Sequence, residues 1–268
     1  PATAAAPSAG ADAARLPTVL RSAPVLDDAH SKLLMSTSQQ RTAWAPPQRF
    51  LHLDLAYPGL AQLTSRPPIY AVADFLTPAE CDALVAIATP LLLRSRTDGG
   101  VSESRTSRTT HLEQATPPCP AVVAKVAART GAPPATMEPP QIARYERGQQ
   151  YRAHHDATAA GQGAAMGDGS GNRICTVLIY LNDAAEGGAT HFPRAGLTVR
   201  PRKGAAVVFF PASADGAPDL DTLHAALPPD SPTWVAQVGI PHPAGPPSHA
   251  RRPPPPPPAP RRPHAPPH

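Results

Sequence analysis

In the stretch YERGQQYRAHHD, His154 and Asp156 stand two residues apart. On an extended strand both side chains leave the same face, so an imidazole and a carboxylate can take adjacent positions around one metal ion. A third ligand has to come from another strand, and His224 in DLDTLHAALPP is the candidate. Two histidines and one carboxylate suit a non-haem Fe(II) site that keeps positions open for other ligands. An isolated H-x-D is far more often a surface pair, so this spacing does not decide the matter alone. His155 fails the same test because Ala157 stands two residues on; it reads as a spacer near the mouth of the site. His30, His52 and His111 lack ligand-like surroundings, and His191 reads as a neighbour of the site or a surface residue.

Such ligands need a strand-rich frame, and the chain has the pattern of one. From Gln141 onward QIARY, CTVLIYL, GLTVR, AAVVFF and WVAQVGI are short β-rich runs divided by Gly, Pro, Asn and Asp. Upstream, residues 70–75 form an apolar strand-like run before a helix start. Thr77 suits the N-cap, Pro78 the first turn, and Glu80 completes a capping box. Leu76 and Cys81 stand where a hydrophobic staple would, and Cys81, Leu84, Val85 and Ala88 recur at helical spacing. A second helix is expected over residues 121–129, stopped by Gly131. Helices followed by many short strands predict an α+β or mainly β domain, with helices packed on an antiparallel sandwich or barrel.

Composition sets the limits of that domain. The chain has 268 residues and 39 prolines, and half of the last 28 residues are proline. Residues 1–69 read as a low-complexity lead and extended arm, residues 70–240 as the folded domain, and residues 241–268 as a basic Pro-rich tail in polyproline II conformation. His242, His249, His264 and His268 fall in that tail. The net charge of +4 is mild and partly an end effect. With no zinc-finger spacing, aromatic RNA-binding signature or dense basic helix, nucleic acid is not an expected partner. Cys81, Cys119 and Cys175 are odd in number and far apart, which argues against a disulfide scaffold and leaves a single bridge open. No run reaches transmembrane length. The chain opens at Pro1 without a methionine, which leaves room for a removed targeting segment.

The neighbours of the H-x-D give it its weight. From residue 70 to 240 the chain resembles the catalytic domains of prolyl 4-hydroxylases, in the superfamily of 2-oxoglutarate- and Fe(II)-dependent dioxygenases, particularly the plant and algal monomeric type. The agreement runs through DFLTPAECDALVAIA, SRTS, E-x-x-Q-x-x-R-Y, GQQY-x-x-H-x-D, GNRICTVLIYLND, GGATHFP, VRPRKGAAVVFF, D-x-x-x-L-H and WVAQVGI. The resemblance implies a double-stranded β-helix, or jelly roll, with flanking N-terminal helices, and places His154, Asp156 and His224 on Fe(II). It implies that 2-oxoglutarate chelates the iron, that Tyr145 and Thr190 help to hold it, and that Arg105 and Arg173 line or brace a peptide groove. The implied reaction consumes O2, uses ascorbate as reductant and hydroxylates peptidyl proline in Pro-rich proteins.

One position departs from the pattern. In the resembled family a lysine immediately before a tryptophan pairs with the far carboxylate of 2-oxoglutarate, whereas here Thr233 precedes Trp234. The only lysines are Lys32, Lys125 and Lys203, and Lys203 falls in the turn before AAVVFF. Losing a charge-assisted contact to a buried carboxylate costs about 2–5 kcal/mol when nothing replaces it. Thr233 can donate one neutral hydrogen bond, and an arginine from another strand could reach in. Two functions therefore stand side by side: an active hydroxylase, or a weakened or inactive dioxygenase-fold subunit. The second would act as a binding or structural module in a larger assembly, through residues 1–69 and 241–268. The run PPPPPP at residues 253–258 also resembles a substrate and could enter the groove of its own or a neighbouring copy. The resemblance points to the secretory pathway and ER lumen; a cytoplasmic or cytoskeletal assembly is the alternative.

Overall fold

The computed structural model describes residues 16–22, 53–57, 59–97, 100–157, 172–214 and 216–242. The expectations for residues 1–15, for much of the arm and for the tail from residue 243, including PPPPPP, lie outside the described residues.

Thirteen strands form two antiparallel sheets among these residues. The larger contains β2 (Leu60–Ser65), β3 (Pro68–Val72), β4 (Leu93–Arg94), β5 (Arg108–His111), β6 (Gln141–Tyr145), β8 (Arg173–Tyr180), β11 (Ala206–Phe209) and β13 (Thr233–Pro241), in the order β2-β3-β11-β8-β13-β6-β5-β4. The smaller contains β1 (Val19–Arg21), β7 (Tyr151–His154), β9 (Thr190–Phe192), β10 (Leu197–Val199) and β12 (His224–Ala226), in the order β1-β10-β9-β12-β7. Phe192, Leu197 and Val199 from the smaller sheet pack against Leu178, Tyr180, Val207 and Phe209 from the larger, making the inner core of a jelly roll.

The other face of the large sheet is covered by helices α1 (Pro78–Ala88) and α2 (Cys119–Thr130). Leu84, Ala88, Val122 and Val126 bury there against Val177, Ile179, Val208 and Val238. Because β8 is covered on both faces, it is apolar along almost its whole length. The helix signals act as expected. Thr77 accepts from the Glu80 backbone at 3.2 Å while the Glu80 carboxylate accepts from the Thr77 N–H at 2.7 Å. The same carboxylate takes Lys125 Nζ at 2.6 Å, tying α1 to α2. Gly131 ends α2 in the left-handed conformation at φ 68°.

The large sheet begins earlier than residue 70. Strand β2, inside the expected arm, pairs with β3, and β1 pairs with β10, so parts of the arm are built into the chain's own sheets. Short strands among prolines carry little periodicity, and pairing with a neighbour supplies what their sequence does not signal.

All three cysteines are free and buried, so the single bridge left open by the sequence does not form. Burial pushes the Cys81 thiol up to about 11 and raises Cys119 and Cys175 as well. At pH 8 the native protein is expected to resist a thiol-specific disulfide reagent, with all three thiols reacting after denaturation. Rapid reaction of any one in the native state would contradict this burial.

Candidate metal centre

The ligand geometry follows from register. On β7, at the edge of the smaller sheet, and its neighbour β12, His154 and His224 are direct partners. Each ring then has its tautomer fixed by a carbonyl. His154 Nδ1 donates to Arg152 O at 2.9 Å, and His224 Nδ1 donates to Thr222 O at 3.0 Å. A carbonyl can only accept, so both Nδ1 atoms carry the proton and both Nε2 lone pairs are free. The free nitrogens converge on Asp156 Oδ1, at 3.6 Å from His154 and 3.8 Å from His224. Ligand atoms of these three residues lie within 4.8 Å of one another, as a shared metal ion requires. His155 stands between two of them in sequence and is not part of the set.

Asp156 is held from the large sheet. Its Oδ2 accepts from Thr176 Oγ1 at 2.8 Å and from Gln237 Nε2 at 3.2 Å, which leaves Oδ1 turned to the histidines. Burial alone would raise the carboxyl pKa, but the Arg173 guanidinium at 3.3 Å and the neighbouring histidines outweigh it, and it lies well below the usual range. Burial, with the neighbouring His154 acting the same way, pushes His224 down to about 3 against the opposing pull of Asp156. His224 is therefore a neutral imidazole at pH 7, and Arg173 is the standing counter-charge of Asp156. Arg173 in turn makes two 2.7 Å bonds to Glu138. Gly239 makes room for that pair, since a Cβ there would stand 2.5 Å from the Glu138 carboxyl carbon.

Beside the ligands a pocket opens between the sheets. Tyr145, Thr190 and Thr233, expected near a cosubstrate, line it together with Arg105, His154 and His224. Gly188, at φ 62°, lies against Thr233, where a Cβ would meet its Oγ1 at 2.6 Å. Tyr180 Oη donates to Thr190 Oγ1 at 2.9 Å.

Two residues singled out in the sequence stand outside the pocket lining. Trp234 does not reach the pocket. It follows Thr233 on β13, so the pleat turns it to the opposite face, where it joins the helix-side core and meets the Arg144 guanidinium at 5.3 Å. Arg173 does not line the pocket either; it braces Asp156 through the pairs given above, for which its place at the start of the doubly covered β8 suits it.

Several site residues escaped the sequence reading. Tyr151 stacks on His154 with ring centroids 3.6 Å apart, and Arg105 lies 4.7 Å over the Tyr151 ring. Thr176 and Gln237 hold Asp156, and Glu138 holds Arg173. A signal for two of these was present: Thr176 and Gln237 are the polar interruptions in the apolar runs CTVLIYL and WVAQVGI.

A jelly roll with a histidine–aspartate–histidine centre at one sheet edge defines a class, and comparison with known proteins gives the same class. Residues 140–238 match the model of the 2OG-Fe(II) oxygenase superfamily. Prolyl 4-hydroxylase 1 of Arabidopsis thaliana is 37% identical over 180 residues, covering 59% of this chain and 62% of that protein. The human prolyl 4-hydroxylase subunit alpha-1 is 34% identical over 174 residues, covering 61% of this chain and 32% of that subunit. The crystal structure of a viral collagen prolyl hydroxylase from Paramecium Bursaria Chlorella virus-1, in its 2OG complex, superposes with a TM-score of 0.50 at 26% identity, covering 65% of this chain and 95% of that one. Over residues 140–238 the chain matches the 2OG-Fe(II) oxygenase superfamily, and in sequence and fold it is similar to the prolyl 4-hydroxylases. It spans about three fifths of the length of the plant relatives and about a third of the animal subunit.

Proposed function

We propose that this chain hydroxylates proline within Pro-rich peptides, using Fe(II), O2 and 2-oxoglutarate, with ascorbate as reductant. The observation that carries this reading is the convergence of two Nδ1-protonated histidines and one carboxylate oxygen beside a pocket lined by hydrogen-bond donors. Fe(II) with 2-oxoglutarate, when bound, supplies the oxidising chemistry for an unactivated C–H bond. The protein's part is to hold and to place. His154, His224 and Asp156 would ligate the metal on one side. Tyr145, Thr190 and Thr233 would donate hydrogen bonds to the cosubstrate, and the Tyr151 stack would keep the His154 ring from turning. A Pro-rich peptide suits such a site because its extended helix is ordered before it binds, which lowers the entropic cost of association.

A second reading, a subunit with weakened turnover that serves as a binding module, is favoured by one observation. Thr233 places a buried hydroxyl, not an ammonium, in the pocket. One experiment separates the two. The full chain with Fe(II), ascorbate, O2 and 2-oxoglutarate is incubated with a Pro-rich peptide and followed by mass spectrometry. Addition of one oxygen, about 16 Da, that requires 2-oxoglutarate supports the hydroxylase. Absence of product at excess cosubstrate supports the module.

A further inference from the structure

Among the described residues, Arg105 is the one lysine or arginine that lines the pocket. It is held in place without a carboxylate partner among them. Nη2 donates to Gln141 Oε1 at 2.7 Å, the guanidinium lies over the Tyr151 ring, and the Tyr145 hydroxyl is a further hydrogen-bond neighbour. Its Nε is buried and makes no hydrogen bond. A dry N–H on a charged group is costly unless a ligand completes it. The edge formed by Nε–H and a neighbouring Nη N–H matches the two oxygens of one carboxylate.

Tyr145 is the register partner of Thr233 across β6 and β13, so the arginine–phenol pair adjoins the rung that carries Thr233. Thr190 and Thr233 offer one neutral contact each. Neither, as a neutral donor, would supply a counter-charge that separates a keto acid with a second carboxylate from one that ends in a methyl group. Arg105 would, because only the dicarboxylate brings it a counter-charge.

We propose that Arg105, with the Tyr145 hydroxyl, is the receptor for the carboxylate of the cosubstrate that lies away from the metal, and that it sets the preference for a dicarboxylic keto acid. The inference rests on the reading that 2-oxoglutarate binds in this pocket, and the controls below separate the two.

The test is anaerobic titration of the Fe(II)-loaded full chain, followed by calorimetry, with two ligands. These are 2-oxoglutarate and 2-oxopentanoate, which has the same chain length and a methyl in place of the far carboxylate. The wild type is expected to prefer 2-oxoglutarate by at least about tenfold, equivalent to about 1.4 kcal/mol. Arg105→Gln should lower 2-oxoglutarate affinity by about tenfold or more and leave 2-oxopentanoate within about twofold, so that the preference collapses. Adding Thr233→Lys to that variant should restore it by placing a cation on the adjoining rung. Equal losses for both ligands would overturn the proposal, since the arginine would then act only through Tyr151 and His154. Unchanged 2-oxoglutarate affinity would overturn it as well. A wild type that binds 2-oxopentanoate as tightly as 2-oxoglutarate refutes the role of Arg105 but not the pocket, whereas one that binds neither refutes both.

Discussion

Asp156→Ala is expected to remove Fe(II) binding while the fold survives. The aspartate is the one carboxylate in the ligand set, and its Oδ1 is the point on which both Nε2 atoms converge. Partners outside the ligand shell are typically worth about 10–100-fold in metal affinity, so loss of the charged ligand itself should exceed that range. The two histidines would remain paired in register and fixed by their carbonyls, but two neutral nitrogens make a weak site. Arg173 would keep its bidentate partner Glu138, so the substitution does not strand a buried cation. Iron content after anaerobic reconstitution, measured beside circular dichroism, reads both effects. Stoichiometric iron in a folded Asp156→Ala protein would mean that the metal, if any, sits elsewhere.

The second large effect falls on stability. Arg173→Met should leave the buried carboxyl group of Asp156 and the partly buried one of Glu138 without the cation that joins them. Breaking a buried ion pair by removing one partner costs about 3–5 kcal/mol. At about 2–4 °C per kcal/mol for a domain of this size, the melting temperature should fall by roughly 6–20 °C at pH 7. The sign with pH follows from the direction of the Asp156 shift. In the wild type its pKa is depressed, so the stabilisation is present above the unfolded value of about 3.9 and is lost as pH falls through the folded value. Without Arg173, burial loses its largest opponent and the pKa moves upward, so the variant's penalty is greatest at neutral pH and relaxes as its carboxyls protonate. The gap between the two melting curves should therefore narrow on acidification toward pH 4. An unchanged melting temperature at pH 7 would show that Arg173 is an ordinary peripheral arginine.

Thr233 and Arg105 belong together in the same physical account. The substitution at Thr233 looks, in sequence, like the removal of the pocket's charge. In space, Arg105 brings a charge in from a loop about 130 positions earlier in the chain. No pattern in SRTS announces that its arginine will lie over Tyr151 and beside Tyr145. Local periodicity reports which face a residue takes, but not which loop will fold across that face.

The chain's own letters determined the two helices, the main β runs and two of the three candidate ligands. Thr77, Pro78 and Glu80 encode a helix start through backbone groups within one turn. Gly131 encodes its partner's stop through a left-handed φ. The spacing of His154 and Asp156 suggests a shared face through the two-residue repeat of a strand, and the structure brings the two together although β7 ends at His154 and Asp156 lies in the bend that follows. Each of these is a short-range fact, written within a few residues. The pairing of His224 with His154 was legible only as a candidate third ligand, because register between β7 and β12 depends on two segments about seventy residues apart. Tertiary structure alone decided that Arg173 turns to Asp156, that Trp234 faces the helices, and that Thr176 and Gln237 steady the carboxylate. Those outcomes depend on which side chains meet across two sheets, where burial makes an unpaired charge costly and so selects the partners.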